Sequence, residues 1–257
     1  MRRFYQESWQ GIPFSAFTRV SFRRLAGSKF YSSFYEELFR RYASWDDLPA
    51  RWRAGKDRDA AWLIERINEQ RQSWEADGED RPARVLSIGS GVGYMEKKLL
   101  DLVPNLELHV NEPSTVGLRW LRACIPAERI YIGYPPACLP PDVFYDVIYL
   151  SAVDYTVSNP EMEHMLRELR AQLAPGGRLM CLSASLLEED SFVGCFVNAL
   201  KIGIRAVLHL LEIRRQQFWG WRRTRREYHA LFQRAGFANI CDGWVDDAQE
   251  VYHISGE

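Results

Sequence analysis

The chain has 257 residues, 47% of them hydrophobic and 26% charged, with a formal net charge of -1. Such a chain buries a full core without disulfides or a structural metal. A charge so close to zero argues against a nucleic-acid coat or a polybasic membrane binder. The most apolar stretch, residues 192–211, is interrupted by Lys201 and Arg205, so no membrane span is expected. Five cysteines (Cys124, Cys138, Cys181, Cys195 and Cys241) form no C-x-x-C pair. Neither a zinc site nor a disulfide framework is suggested, and no other metal-ligand pattern stands out. Reduced thiols of a cytoplasmic protein are the simplest reading, in keeping with a start that lacks the apolar run of a signal peptide.

Residues 1–80 are rich in aromatics and arginine and are expected to form a helical N-terminal lid or cap. Within them, Phe30/Phe34 and Tyr31/Tyr35/Phe39 recur at helical spacing and predict a helix over 29–39. Residues 45–49 read as a turn. A second helix is predicted over 59–74, with Ala60, Leu63, Ile64 and Ile67 inward. The polar stretch 77–82, with Gly78 and Pro82, reads as a linker. From Arg84 strands and helices alternate: strands 85–88, 106–111, 129–132, 146–150 and 178–182, with helices 95–102, 115–124 and 161–173 between them. That rhythm indicates a parallel sheet covered on both faces, opening a second domain over 81–257. A helical insertion is expected at about 186–223. Thr224-Arg225-Arg226-Glu227 has the spacing of a capping box, and Gly236 closes the helix it starts. Short strands near 238–241 and 251–254 lie too close for a crossover helix and should pair antiparallel.

Gly89-Ser90-Gly91-Val92-Gly93 follows the first strand of the alternating region directly. Glycines there let the backbone turn tightly and approach a ligand at the carboxyl edge of the sheet. A dinucleotide fingerprint needs a further glycine where Tyr94 stands, which weakens that reading. Glu112 ends the second strand of the region, where a carboxylate accepts both hydroxyls of a ribose. Alone it reads equally as a solvated loop acid; beside the glycine loop the ribose reading is favoured. Leu173-Ala174-Pro175-Gly176-Gly177 stops a helix and turns into a strand.

The glycine loop, Glu112, the strand entry Tyr145-Asp146-Val147-Ile148 and the Leu-x-Pro-Gly-Gly turn together resemble the class I S-adenosylmethionine-dependent methyltransferases. The resemblance covers roughly 84–182 and continues over 227–254, where Ala235-Gly236-Phe237 is similar to the family's ending of its last helix. It implies an α/β fold, a Rossmann-like doubly wound seven-stranded sheet with the last strand antiparallel, and S-adenosyl-L-methionine as cofactor. Carried over by position, Gly89, Ser90, Gly91 and Gly93 border the methionine part and Glu112 binds the ribose, with Pro113 beside it. Tyr134 and Pro135 lie near adenine, and Ser151 and Val153 face the sulfonium and the acceptor. Two positions depart from the pattern: Ser87 and Tyr134 stand where the family often has acids. Ser87 accepts a hydrogen bond without charge, and adenine at Tyr134 is held by stacking or backbone groups.

Methyl transfer needs donor and acceptor in line and water excluded; a base is needed only where the acceptor proton is hard to lose. Asp154, Tyr155 and His164 are the base candidates, against the plainer readings of a loop acid or cap for Asp154 and an exposed His164. The family's base-methylating members carry an Asn/Asp-Pro-Pro-aromatic loop where this chain has Ser151-Ala152-Val153-Asp154, so no nucleic-acid partner is expected, and no cysteine there attacks a pyrimidine carbon. Arginines interleaved with Trp219 and Trp221, Arg222 among them, suit an anionic, planar or sugar-like substrate or else form a solvated basic face. Tyr31 and Tyr35 are placed as a lid over the cofactor or as ordinary packing. On the 192–213 helix a narrow polar stripe (Asn198, Lys201, Arg205, His209, Glu212) leaves a wide apolar face for the core, a second copy or an apolar substrate to cover. Phe30 to Tyr35 and Ile88 to Glu96 also look similar to bacterial methyltransferases of surface-glycan or secondary-metabolite pathways. The expected activity is therefore O-methylation of a small metabolite or a sugar or glycan. The rivals are transfer of another, aminopropyl-type carbon group of the cofactor, and a non-catalytic cofactor-binding partner subunit.

Overall fold

The computed structural model describes residues 2–76, 81–187 and 192–257. In chain order its elements are β1 (Arg2–Gln6), β2 (Ser8–Trp9), β3 (Ile12–Pro13), α1 (Ser28–Arg41), α2 (Ala50–Ala76), β4 (Ala83–Ile88), α3 (Tyr94–Leu102), β5 (Leu106–Glu112), β6 (Ile130–Ile132) and β7 (Tyr145–Ser151). They continue with α4 (Asn159–Arg170), β8 (Leu173–Ser183), β9 (Leu186–Leu187), α5 (Phe192–Leu210), β10 (Gln217–Thr224), α6 (Arg225–Arg234), β11 (Cys241–Trp244) and β12 (Tyr252–Gly256).

Seven strands form one sheet in the order β11-β12-β8-β7-β4-β5-β6. β4 runs parallel to β5 and β7, β6 to β5 and β8 to β7, while β12 is antiparallel to both β8 and β11. The expected doubly wound sheet with its last strand reversed is thus present. Side chains alternate across it. Val85, Val147 and Tyr149 pack with Leu63 and Ile67 of α2 and Leu99 of α3. Leu86, Ile148 and Leu150 pack on the other face with Met162 and Leu166 of α4 and Leu231 and Phe232 of α6. The central strands are buried on both faces, which is why they read as near-continuous apolar runs. The capping box at the start of α6 forms, with Glu227 N–H donating to Thr224 Oγ1 at 3.2 Å.

Several boundaries and two element types differ from the sequence expectation. α2 starts at Ala50, behind Pro49, well before residue 59. Residues 115–124 form the short 3-10 turns Gly117–Arg119 and Leu121–Ala123 in place of a helix. Trp120 there packs its ring on Phe39 of α1 and on Trp45, and that tertiary contact outweighs local helical preference. The N-terminal cap is not purely helical: β1 pairs antiparallel with β10, Arg2 opposite Arg222 and Phe4 opposite Gly220. The stretch 217–223, expected inside a helical insertion, is therefore a strand. Its partner lies some two hundred residues away in the chain, beyond the reach of any local periodicity. The linker residues 77–80, and residues 188–191 of the insertion, lie outside the described residues. The aromatic stripe of α1 (Phe30, Phe34, Tyr35, Phe39) is buried with Phe14 and Trp219 in a third cluster, above the carboxyl ends of the strands. No described helix is long and apolar enough to cross a membrane.

Candidate functional site

The carboxyl ends of β4, β5 and β7 open onto three adjoining cavities. A small inner one of about 120 Å³ lies against Ser87 to Glu96. A second, of about 430 Å³, lies against Asn111 to Ser114, Tyr134 and Pro135. An outer cleft of about 920 Å³ lies between the N-terminal strands, the start of α2 and the end of β8. Ala152 and Tyr155 line all three. Ala152 has φ +57, a conformation rare for a residue with a side chain, of the kind that concentrates at functional sites.

The glycine loop is tied to β5. Gly89 N–H and Ser90 N–H both donate to the Asn111 carbonyl, at 2.8 and 3.1 Å. Gly91 N–H donates to Glu112 Oε2 and Ser114 N–H to Glu112 Oε1, each at 2.9 Å. Gly89 has φ +68, and a Cβ there would lie 2.5 Å from Val153 Cγ2, so no larger residue fits the turn. Gly93 caps α3 and abuts Leu121, apart from the cavities. Glu112 is buried; that burial, with the nearby Glu96 charge adding to it, pushes its carboxyl up to about 7 against the pull of its two backbone donors. Around it the buried Ser90 Oγ, Ser114 Oγ, Asn111 Oδ1 and Tyr31 hydroxyl have no hydrogen-bond partner among the described residues. Buried polar atoms are seldom left so, and all four residues line the two inner cavities. A ligand with several donors and acceptors is what would satisfy them.

Ser87, where an acid was looked for, donates to Glu96 Oε1 at 2.5 Å, and Tyr149 donates to the same oxygen at 2.6 Å. A carboxylate thus reaches the place from the first turn of α3. Burial raises the Glu96 carboxyl, while the Ser87 and Tyr149 hydrogen bonds and the Lys56 charge pull it down. Lys56 Nζ, entering from α2, donates to Asp59 Oδ2 at 2.8 Å and to Ser151 Oγ at 2.9 Å. Glu96 and Lys56 are the two charged residues lining the inner cavity among the described residues. Neither was read as functional from the sequence. Glu96 left a signal, an acid one turn after a glycine loop; Lys56 left none, since it lies on a separate helix.

The expected acceptor-side residues divide. Tyr31 and Tyr35 line both inner cavities; burial, with the nearby Glu112 charge, holds their phenols well above the usual range, and it does the same to Tyr155. Phenols held so high keep their protons at neutral pH, which makes them poor bases there. Ser151 lines the inner cavity and the cleft, and Pro113, Tyr134, Pro135 and Val153 line the second cavity. Trp219 stacks on Tyr155 at 6.0 Å between ring centroids. Gly220 makes this possible, because a Cβ there would sit 1.9 Å from the Tyr155 carbonyl. Arg222 lies in the outer cleft.

Of the remaining candidates, two lie outside the three cavities and one stands on a rim. Asp154 is fully buried and lines none of the three cavities. Its Oδ2 accepts from Ser183 at 2.8 Å, Ser185 at 3.1 Å and Tyr228. The 3-10 turn Asp154–Thr156 directs it inward while Tyr155 faces the cavities; it anchors β8 and α6. Trp221 packs edge-on against Phe218 and lines none of the cavities. His164 stands on the outer rim of the second cavity, its side chain 63% exposed. Among the described residues no group of three or more His, Cys, Asp or Glu converges as a metal site requires.

A family model described as a methyltransferase domain matches residues 54–242. No curated protein sequence matches significantly. Solved structures share the fold at low identity. Human N-acetylserotonin methyltransferase in complex with SAM has 16% identity and a TM-score of 0.55 over 90% of this chain and 56% of its own. PigF with SAH has 20% identity and a TM-score of 0.54 over 90% and 60%. A Nostoc punctiforme protein proposed as an O-methyltransferase has 15% identity and a TM-score of 0.58 over 95% and 66%. The match thus spans between about half and two-thirds of the length of these proteins.

Proposed function

This chain belongs to the methyltransferase family, of the class I S-adenosylmethionine-dependent type, and we propose that it methylates a hydroxyl oxygen of a small metabolite or sugar. The observation that carries the proposal is the pair of inner cavities walled by the glycine loop and the buried Glu112, opening past Ala152 and Tyr155 into a separate cleft.

The residues present fit the cofactor. The Glu112 carboxylate, already fixed by two backbone N–H groups, accepts the ribose hydroxyls. Tyr134, Pro135 and Val153 wall the adenine space, where Asn111 Oδ1 and Ser114 Oγ are free to bond. Glu96 and Lys56, of opposite charge, face the inner cavity and suit the ammonium and carboxylate of an amino-acid end. When bound, S-adenosylmethionine supplies a methyl carbon made electrophilic by the sulfonium. Tyr31, Tyr35 and Tyr155 wall that space and exclude water, which strengthens the electrostatic contacts within it.

Glu96 also bears on the aminopropyl-type alternative. That reading drew on the missing acid at Ser87, and the carboxylate of Glu96 fills the gap. Self-association through 192–213 draws support from the exposed Leu200, Ile204, Val207 and Leu211, and light scattering measures it.

The test is incubation of the full chain with methyl-labelled S-adenosylmethionine and a panel of hydroxylated aromatics and sugars, with products read by mass. Methyl ethers together with S-adenosylhomocysteine are expected. Methylthioadenosine in their place marks the aminopropyl-type reaction, and cofactor binding without turnover on any acceptor marks a non-catalytic subunit.

A further inference from the structure

The outer cleft has its own chemistry. Aromatic rings stand on several of its sides: Phe4, Trp9, Trp52, Tyr155 and Trp219. They hold one another in place. Phe4 meets Tyr155 edge-on at 5.7 Å and Trp9 meets Trp52 edge-on at 6.1 Å. With its amide turned to accept, Gln10 bonds both indoles, Trp52 Nε1 at 2.9 Å and Trp9 Nε1 at 3.1 Å.

Four cations and two acids line the same cleft. Lys56 is paired with Asp59, and Arg58 is held by Asp246 and Glu250. Arg51 and Arg222 are left exposed with no ion pair among the described residues. Arg222 lies over the face of Phe4, 5.1 Å from the ring centroid. Gln6 Oε1, also in the cleft, is buried with no donor among the described residues. Rigid aromatic walls, an excess of unpaired positive charge and an unsatisfied acceptor describe a complementary guest.

We propose that this cleft is the acceptor site and that its substrate class is a planar aromatic molecule with a hydroxyl at the Ser151–Tyr155 end and an anionic group toward Arg222 and Arg51. A flat aromatic ring covers more of these ring faces than a polar sugar does, and a neutral aromatic leaves both guanidinium groups without a counter-charge. The inference rests on the methyltransferase reading, since the inner end of the cleft is the edge it shares with the inner cavity.

The test is calorimetric titration of the full chain, first with S-adenosylhomocysteine and then, at saturation, with three hydroxylated aromatic acids (4-hydroxycinnamate, 4-hydroxybenzoate and salicylate), the methyl ester of each, and glucuronate. At least one aromatic acid should bind about tenfold or more tighter than its ester and than glucuronate. The exposed double variant Arg51→Gln/Arg222→Gln should abolish the acid-over-ester preference and leave S-adenosylhomocysteine affinity unchanged. The proposal is overturned by equal binding of acid and ester, by glucuronate binding as well as the aromatic acids, by a preference that survives in the double variant, or by none of the acids binding to a chain that does bind S-adenosylhomocysteine. A chain that fails to bind S-adenosylhomocysteine overturns instead the reading beneath it.

Discussion

Replacing Glu112 with Gln isolates the charge of the carboxylate that ties the glycine loop to β5. The distance between the ordinary carboxyl value of 4.5 and about 7 corresponds to about 3 kcal/mol of preference for the neutral form in the folded chain. The sign follows from linkage. With the folded value above the unfolded one, the contribution is fully present below pH 4.5 and is lost as pH rises through 7. The ligand-free wild type should therefore lose up to about 3 kcal/mol from this group between roughly pH 4.5 and 7, and Glu112→Gln should flatten that part of the profile. Binding runs the other way. Only the ionised carboxylate accepts two hydroxyls on top of its two backbone N–H groups, so wild-type affinity for S-adenosylhomocysteine should fall about tenfold per pH unit below 7. At pH 8 the Gln variant loses one charge-assisted acceptor, worth about 1.5–3 kcal/mol, or roughly 10- to 100-fold in Kd. Calorimetric titration from pH 5.5 to 8.5, with urea unfolding on the same samples, reads both effects. Wild-type affinity independent of pH and equal to that of the variant would refute the reasoning.

Gly89→Ala meets Val153 Cγ2 at 2.5 Å in a left-handed backbone; strain and overpacking together should cost about 2–4 kcal/mol, read as a fall in Tm of roughly 5–15 °C. Lys56→Met and Glu96→Gln should each weaken S-adenosylhomocysteine about tenfold, the loss of one charged contact, yet leave methylthioadenosine, which lacks the amino-acid end, within about twofold; parallel titrations with the two ligands check this. Asp154→Asn should lower stability by about 1–3 kcal/mol, because three buried hydroxyls lose a charged acceptor, while the pH profile of kcat/KM keeps its shape. An acidic limb that vanishes in that variant would restore Asp154 as a base.

The strands, the glycine loop and Glu112 were legible because each is a local pattern: a short apolar run, a turn that needs positive φ, an acid at a strand end. Glu96 was half legible. It lies in the first turn after the loop, but only the fold shows its carboxylate beside Ser87 and Tyr149. Lys56, Trp9 and Trp52 were not legible, since they reach the site through the packing of the N-terminal region. The pairing of β1 with β10, which frames the outer cleft, joins segments more than two hundred residues apart, and no window of sequence contains both. The surroundings of Asp154 were hidden for a related reason. Its place in the chain, just after β7, suits a base, but the direction of its side chain is set by Ser183, Ser185 and Tyr228, which come from β8, the turn after it and α6.

The most direct test of the central claim is a crystal structure of the full chain with S-adenosylhomocysteine. The ribose hydroxyls should lie on the Glu112 carboxylate and the amino-acid end between Glu96 and Lys56. A nucleoside bound elsewhere on the sheet edge, or Glu112 turned away from it, would contradict the account.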